Sequence, residues 1–192
     1  MNDKTRDTTI SLQGHFLIAT PGLHDPVFAN TVIYLCEHTR YGAMGLVVNQ
    51  PLDISLNQIF EQFELNYSEP AGKLPLLSGG PVQVNRGFVL HRPQQKDWEA
   101  TQKISPDIHL TSSRDIIEDI ANDKGPEDSL ITLGYAGWEA GQLEAELGTN
   151  AWLAVPAKAE ILFDTAIEDR AHAAAATIGV NLHQFGSTAG HA

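Results

Sequence analysis

The sequence predicts an α+β fold with a mixed β-sheet and helices packed around it, and three observations carry that prediction. Two apolar runs rich in β-branched and aromatic residues, 31–37 (TVIYLCE) and 44–48 (MGLVV), flank a short polar connection and read as a β-hairpin. Further strand-like runs alternate with segments of helical period. The helical segments are short, and each shows one apolar stripe. Hairpins argue against an all-parallel sheet, and the number of strand-like runs argues against a bundle.

In chain order, residues 1–13 read as a flexible polar lead-in and residues 14–192 as a single domain. Residues 14–20 (GHFLIAT) form a first strand that Pro21-Gly22 ends, and Leu23 to Pro26 form a turn. The hairpin follows, with His38 to Ala43 as a loop of about four to six residues. Asn49-Gln50-Pro51 stops its second strand, because proline has no N–H for the ladder. Residues 54–63 switch to helical period, with Leu56, Ile59, Phe60 and Phe63 on one face and Ser55 with Gln58 as a capping box. Residues 64–75 are turn-rich. Residues 76–82 and 87–91 are two short strands around the Gly79-Gly80-Pro81 turn. Residues 92–104 are polar apart from Trp98, and His109 to Thr111 suggest a strand.

Ser112 or Ser113 caps a helix whose core face is Ile116, Ile117 and Ile120, closed by residues 122–127. Residues 129–135 (SLITLGY) are a strand. Ala136-Gly137 then turns into a helix from about Trp138 to Leu147, with Leu143 and Leu147 stacked. Gly148 stops it. Residues 152–155 are another strand. The last helix starts at Asp164 or Thr165 and carries Ile167, Ala171, Ala174 and Ile178 on one face, with Gly179 after it and a tail from residue 181.

Composition narrows the function classes. The net charge is −12, and Lys and Arg are scattered singly. Nucleic-acid affinity comes largely from basic residues that neutralise phosphates, so direct nucleic-acid binding is disfavoured. No stretch approaches the roughly 18 apolar residues of a membrane helix. The N-terminal residues carry charges of both signs and do not read as a secretory signal. One cysteine cannot form an internal disulfide, and a reducing cytoplasm is the expected compartment.

The chemistry-bearing candidates are few. On a regular strand Cys36 and His38 share a face, the arrangement in which an imidazolium lowers a thiol pKa. A buried structural cysteine is the competing reading. Ser78-Gly79-Gly80-Pro81 and Gly134-Tyr135-Ala136-Gly137-Trp138 are glycine corners that let backbone approach something closely, with Trp138 as a wall. A strand–glycine turn–helix start presents N–H groups to anions, but Glu139, Glu144 and Glu146 follow and would repel one. Neither corner matches a Walker loop, a dinucleotide fingerprint or a nucleophile elbow. The eight histidines show no HxxxH spacing and there is no CxxC, so neither a metal nor a cofactor is expected.

Four blocks resemble the YqgE/AlgH family of bacterial proteins: residues 15–51, residues 76–91, residues 131–157, and the terminal GHA of residues 190–192. The family often has a tryptophan after the last-helix arginine; here Ala171 follows Arg170, a change expected to alter local packing only. The resemblance implies a compact α+β domain with a strongly curved, partly barrel-like mixed sheet. It implies no mechanism. Members are often labelled transcriptional regulators, and the acidic charge makes an indirect effect the expectation.

Within these blocks the expected binding residues are Tyr41, Gly42, Asn49 and Pro51 around the hairpin. Gly79, Gly80, Pro81 and His91 come from the second block, and Gly134, Tyr135, Gly137, Trp138 and Gln142 from the third. The leading functional expectation is a non-enzymatic regulatory or binding protein using that surface, for an unknown protein partner or small ligand. It would be a monomer or weak homodimer. The alternative is a thiol-dependent enzyme or redox sensor centred on Cys36.

Overall fold

A computed structural model describes residues 10–182. The strands are β1 (His15–Ala19), β2 (Val32–Thr39), β3 (Gly42–Val47), β4 (Leu76–Ser78) and β5 (Val82–His91). They continue with β6 (Thr101–Lys103), β7 (His109–Thr111), β8 (Ser129–Glu139) and β9 (Trp152–Pro156). Helices α1 (Leu56–Gln62), α2 (Glu69–Gly72) and α3 (Arg114–Ala121) precede β8; α4 (Gln142–Gly148), α5 (Ala159–Phe163) and α6 (Arg170–Ala176) follow it.

The nine strands make one sheet, in the order β6-β7-β5-β8-β3-β2-β1-β9, with β4 joined to β8 off this path. Only the β4–β8 pair is parallel, so the sheet is mixed as expected. It curls into an open half-barrel. Strand β8 is the spine. Its first half lies between β5 and β4, and its last four residues pair with β3.

Side-chain alternation sorts the core by face. Phe16, Tyr34, Leu46, Leu90, Leu110 and Val155, drawn from both halves of the sheet, meet in one cluster, which is the inner face of the curl, packed by α5 and α6. The outer face carries two separate clusters. Leu17, Ile33, Val47, Trp138 and Trp152 lie under α4, while Val89 and Ile131 meet α1, α2 and α3.

Several sequence-based boundaries move, each for a local reason. The expected turn at Ala136-Gly137 is not made. Thr132, Gly134, Ala136 and Trp138 are buried at every second position, so the strand period runs on to Glu139 and the helix begins only after Gly141, whose φ is +77°. The hairpin loop is shorter than expected, because Thr39 still pairs with Gly42 and leaves only Arg40 and Tyr41 between the strands. Ser55 is the N-cap of α1, but the capping box is absent. Its hydroxyl bonds Asn57, whose Oδ1 also accepts the Gln58 N–H at 2.9 Å. Phe63 sits past the helix end and is largely exposed.

Helix α2 arises in the turn-rich segment because Ser68 accepts the Ala71 N–H at 3.1 Å and Pro70 suits a first helical turn. The expected final helix from Asp164 or Thr165 is a 3₁₀ turn at Ile167–Asp169 followed by α6, and the short α5 before it was not expected. At the end of the lead-in, the Ser11 hydroxyl donates to the His38 carbonyl and the Leu12 N–H to the His38 ring, each at 3.0 Å. The GHA block at 190–192 lies outside the described residues.

Candidate functional site

The two glycine corners interlock backbone to backbone. The Gly79 N–H donates to the Leu133 carbonyl at 2.7 Å, and its own carbonyl accepts from the Val47 N–H at 2.8 Å, splicing β4 onto the end of β3. A Cβ on Gly79 would stand 2.2 Å from the Gly134 carbonyl oxygen, and one on Gly134 would stand 2.3 Å from that of Gly80. Gly80 and Gly134 also have φ of +147° and +74°. These glycines are therefore a structural joint, with the backbone in contact with itself rather than held open for a ligand.

At the hairpin tip Tyr41 is 74% exposed, with the Arg40 guanidinium 4.7 Å from its ring centroid. Gly42 lies so close to β8 that a Cβ would stand 2.3 Å from the Trp138 carbonyl oxygen. Trp138 itself is not a wall of an inner site. Its side chain belongs to the outer face, buried against Trp152, and both indole N–H groups donate to Glu146 Oε2, at 2.9 and 2.7 Å. Gln142 completes the same carboxylate through Oε1 at 2.9 Å.

The expected Cys36–His38 pairing is not made. The β2–β3 register shifts between Leu35 and Glu37, a bulge that leaves Cys36 unpaired and turns His38 to the opposite face. Cys36 is 1% exposed within the inner core, where burial, with the Glu37 charge second, pushes its thiol pKa far up. His38 Nδ1 accepts the Leu12 N–H at 3.0 Å, so its proton resides on Nε2, which donates to Glu144 at 3.0 Å. The ring is a clamp between the lead-in, β2 and α4. Activation of the thiol has no basis in this geometry.

The inner face does contain an open groove, of about 740 Å³, across the ends of β3, β8 and β5. Tyr135 and Phe88 form its aromatic floor, edge-to-face at 6.0 Å, and Tyr41 stands at its rim. Glu37 and Glu139 supply negative charge, and Arg86 supplies positive charge. Gly137 faces the same space. Its φ is ordinary, and a Cβ there would meet only the Tyr135 ring at 3.4 Å, so its missing side chain keeps the groove clear.

Of the expected binding residues, the groove gathers Tyr41, Gly42, Tyr135 and Gly137, with Trp138 contributing from the back of the strand. It does not gather the others. Gly79, Gly80 and Gly134 form the joint behind it, next to Pro81. Asn49 caps the Val32 N–H at 2.8 Å, Pro51 bridges to Leu77, and His91 is buried at the far end of β5. Gln142 is engaged on the outer face. Sequence reasoning missed Glu37, Arg86 and Phe88. Strand parity through Tyr135 and Gly137 was the signal that could have found the shared face.

A family model described as AlgH-like matches residues 16–183. The chain belongs to the AlgH-like family. Family relatives include UPF0301 proteins from Saccharophagus degradans, 53% identical over 95% of this chain and 90% of the relative, and from Pseudomonas fluorescens, 52% identical over 94% and 96%. The solution structure of AlgH from Pseudomonas aeruginosa is similar at a TM-score of 0.79, with 47% identity and full coverage of both chains. A crystal structure from Corynebacterium diphtheriae shares the fold, with a TM-score of 0.72 at 18% identity over 93% of each chain. No helix among the described residues is long and apolar enough to cross a membrane, and no three His, Cys, Asp or Glu side chains among them are grouped to share a metal ion.

One further polar cluster in this AlgH-like chain is buried beneath Trp98. His91 Nδ1 bonds the Arg92 carbonyl at 2.9 Å, so Nε2 accepts from Thr111 at 2.9 Å, and Thr101 bonds Thr111 at 2.8 Å. His109 packs 5.8 Å from His91, and its Nδ1 has no partner among the described residues. Burial, chiefly, lowers both imidazole pKa values, with Lys103 adding to the effect at His109 and Asp97 opposing it. Unfolded histidines take up protons near pH 6.5, and the folded ones do so only at lower pH. Stability is therefore expected to fall as pH drops through about 6.5, by at most about 1.4 kcal/mol per pH unit for each histidine. Urea midpoints measured across that window check this. The slope should shrink in His109→Gln, and a flat profile in the parent would contradict it.

Proposed function

We propose that this chain is a non-catalytic binding protein that recognises an extended segment of a protein partner in the inner groove. The carrying observation is Gly137. It sits on β8 without backbone strain or crowding, so its lack of a side chain serves the open space rather than the fold. The aromatic floor offers stacking and apolar contact, and the flanking charges of both signs suit a mixed polar segment. The openness of the groove favours a chain that lies across it over an enclosed small molecule. With a net charge of −12, any influence on transcription would pass through such a partner rather than through DNA contact.

The test is photocrosslinking from benzoylphenylalanine at position 41, at the rim, against the same probe at position 67, beside α2 on the outer face. Discrete adducts from position 41 alone are expected. The same adducts from both positions, or none from position 41, would count against the groove.

A further inference from the structure

A second feature, independent of the groove, lies at the start of α6. Arg170 is only 7% exposed. Its Nη1 donates to the Val48 carbonyl, while its Nε has no hydrogen-bond partner. Among the described residues no carboxylate forms an ion pair with it. A buried guanidinium is normally paired, because an uncompensated charge in a low-dielectric interior is costly. Burial pushes the Arg170 pKa down to about 10, with Glu168 opposing through space. Arg170 lines a partly open cavity of about 200 Å³, with Leu77, Leu130, Leu162, Phe163 and Ile167 on its apolar side and Ser129, Asp128 and Glu127 on its polar side.

We propose that this cavity binds a small aliphatic monocarboxylate, with its carboxylate on the Arg170 guanidinium and its hydrocarbon body against the leucines. The volume holds roughly six or seven non-hydrogen atoms at liquid-like density. Two acidic residues also line the space, and they select the charge. Asp128 is already held by Arg92 Nε at 2.8 Å, while Glu127 is exposed. A single negative charge is balanced by Arg170, whereas a phosphate dianion would be left in excess beside both carboxylates. A planar carboxylate also matches the guanidinium fork.

The experiment uses the full chain, with arginine labelled by nitrogen-15, and follows the Arg170 Nε–H resonance near pH 7. The probes are isovalerate, its neutral isostere isovaleramide, and inorganic phosphate. Isovalerate is expected to move the resonance downfield in a saturable way with an affinity of roughly 1 mM, and to raise the melting midpoint. Ser129→Val, which narrows the cavity without touching the arginine, should weaken that response about tenfold. Arg170→Lys serves to assign the resonance. The proposal is overturned if the resonance stays still up to roughly 10 mM isovalerate or if isovaleramide moves it equally. It is overturned as well if phosphate moves it more, or if the unliganded protein already shows a bonded Nε–H.

Discussion

Gly134→Ala is expected to destabilise the protein by about 3–5 kcal/mol, near the top of the range for a single substitution. Two costs add at this position. The φ of +74° places an alanine in the left-handed region, at about 1–2 kcal/mol. The new Cβ then lies 2.3 Å from the Gly80 carbonyl oxygen and 3.1 Å from that of Val82. Both obstacles are backbone, and Gly80 is itself pinned against Tyr135, so relief requires prising β4 and β5 from the spine strand. Gly137→Ala, three residues along the same strand, is the control. It meets only an aromatic ring edge at ordinary contact and should change stability by less than about 1 kcal/mol. Urea unfolding of the two variants side by side measures the contrast. Equal destabilisation would mean that the joint is not what holds the two halves of the sheet together.

Glu146→Ala carries the second large effect, about 2–4 kcal/mol. One carboxylate accepts from the Trp138 and Trp152 indoles and from the Gln142 amide, which fastens α4 across β8 and β9. Truncation strands two indole N–H donors in an apolar cluster where each indole is less than a tenth exposed. Charge-assisted bonds of this kind are roughly twice as strong as neutral ones, so Glu146→Gln, which keeps an acceptor oxygen, should lose only about half as much. Tryptophan emission reports the result directly, because Trp98, the third tryptophan of the chain, donates to Asp119 in a different cluster. An alanine variant with parental stability and unshifted emission would contradict the arrangement.

Much of the fold was legible because its elements obey their periods. The β2–β3 hairpin, the helix bearing Ile116 and Ile120, and the mixed character of the sheet all follow from apolar spacing. What was not legible depends on long-range contact. Gly134 falls inside the strand expected over residues 129–135, but nothing in its spacing shows that Gly80, more than fifty positions earlier, packs against its backbone. The same holds for Cys36 and His38. Strict alternation puts them together, and one bulged residue, set by pairing with β3, puts them on opposite faces. Trp138 is a further case. It was expected as a wall of the binding surface at the start of a helix, whereas the strand runs on past it and the period through Ala136 puts it on a buried face. The groove was half visible, through Tyr41, Tyr135 and Gly137, and half hidden, because Glu37 follows one register shift and Arg86 and Phe88 lie at another, neither of which apolar spacing shows.

The central claim is that the space above Gly137 is reserved for a partner. Gly137→Gln fills that space with a side chain the strand tolerates, and the benzoylphenylalanine probe at position 41 reads the consequence. The expected result is a variant within about 1 kcal/mol of parental stability in which the position-41 adducts disappear. A folded Gly137→Gln protein that still forms the same adducts at the same yield would show that recognition happens elsewhere on the molecule.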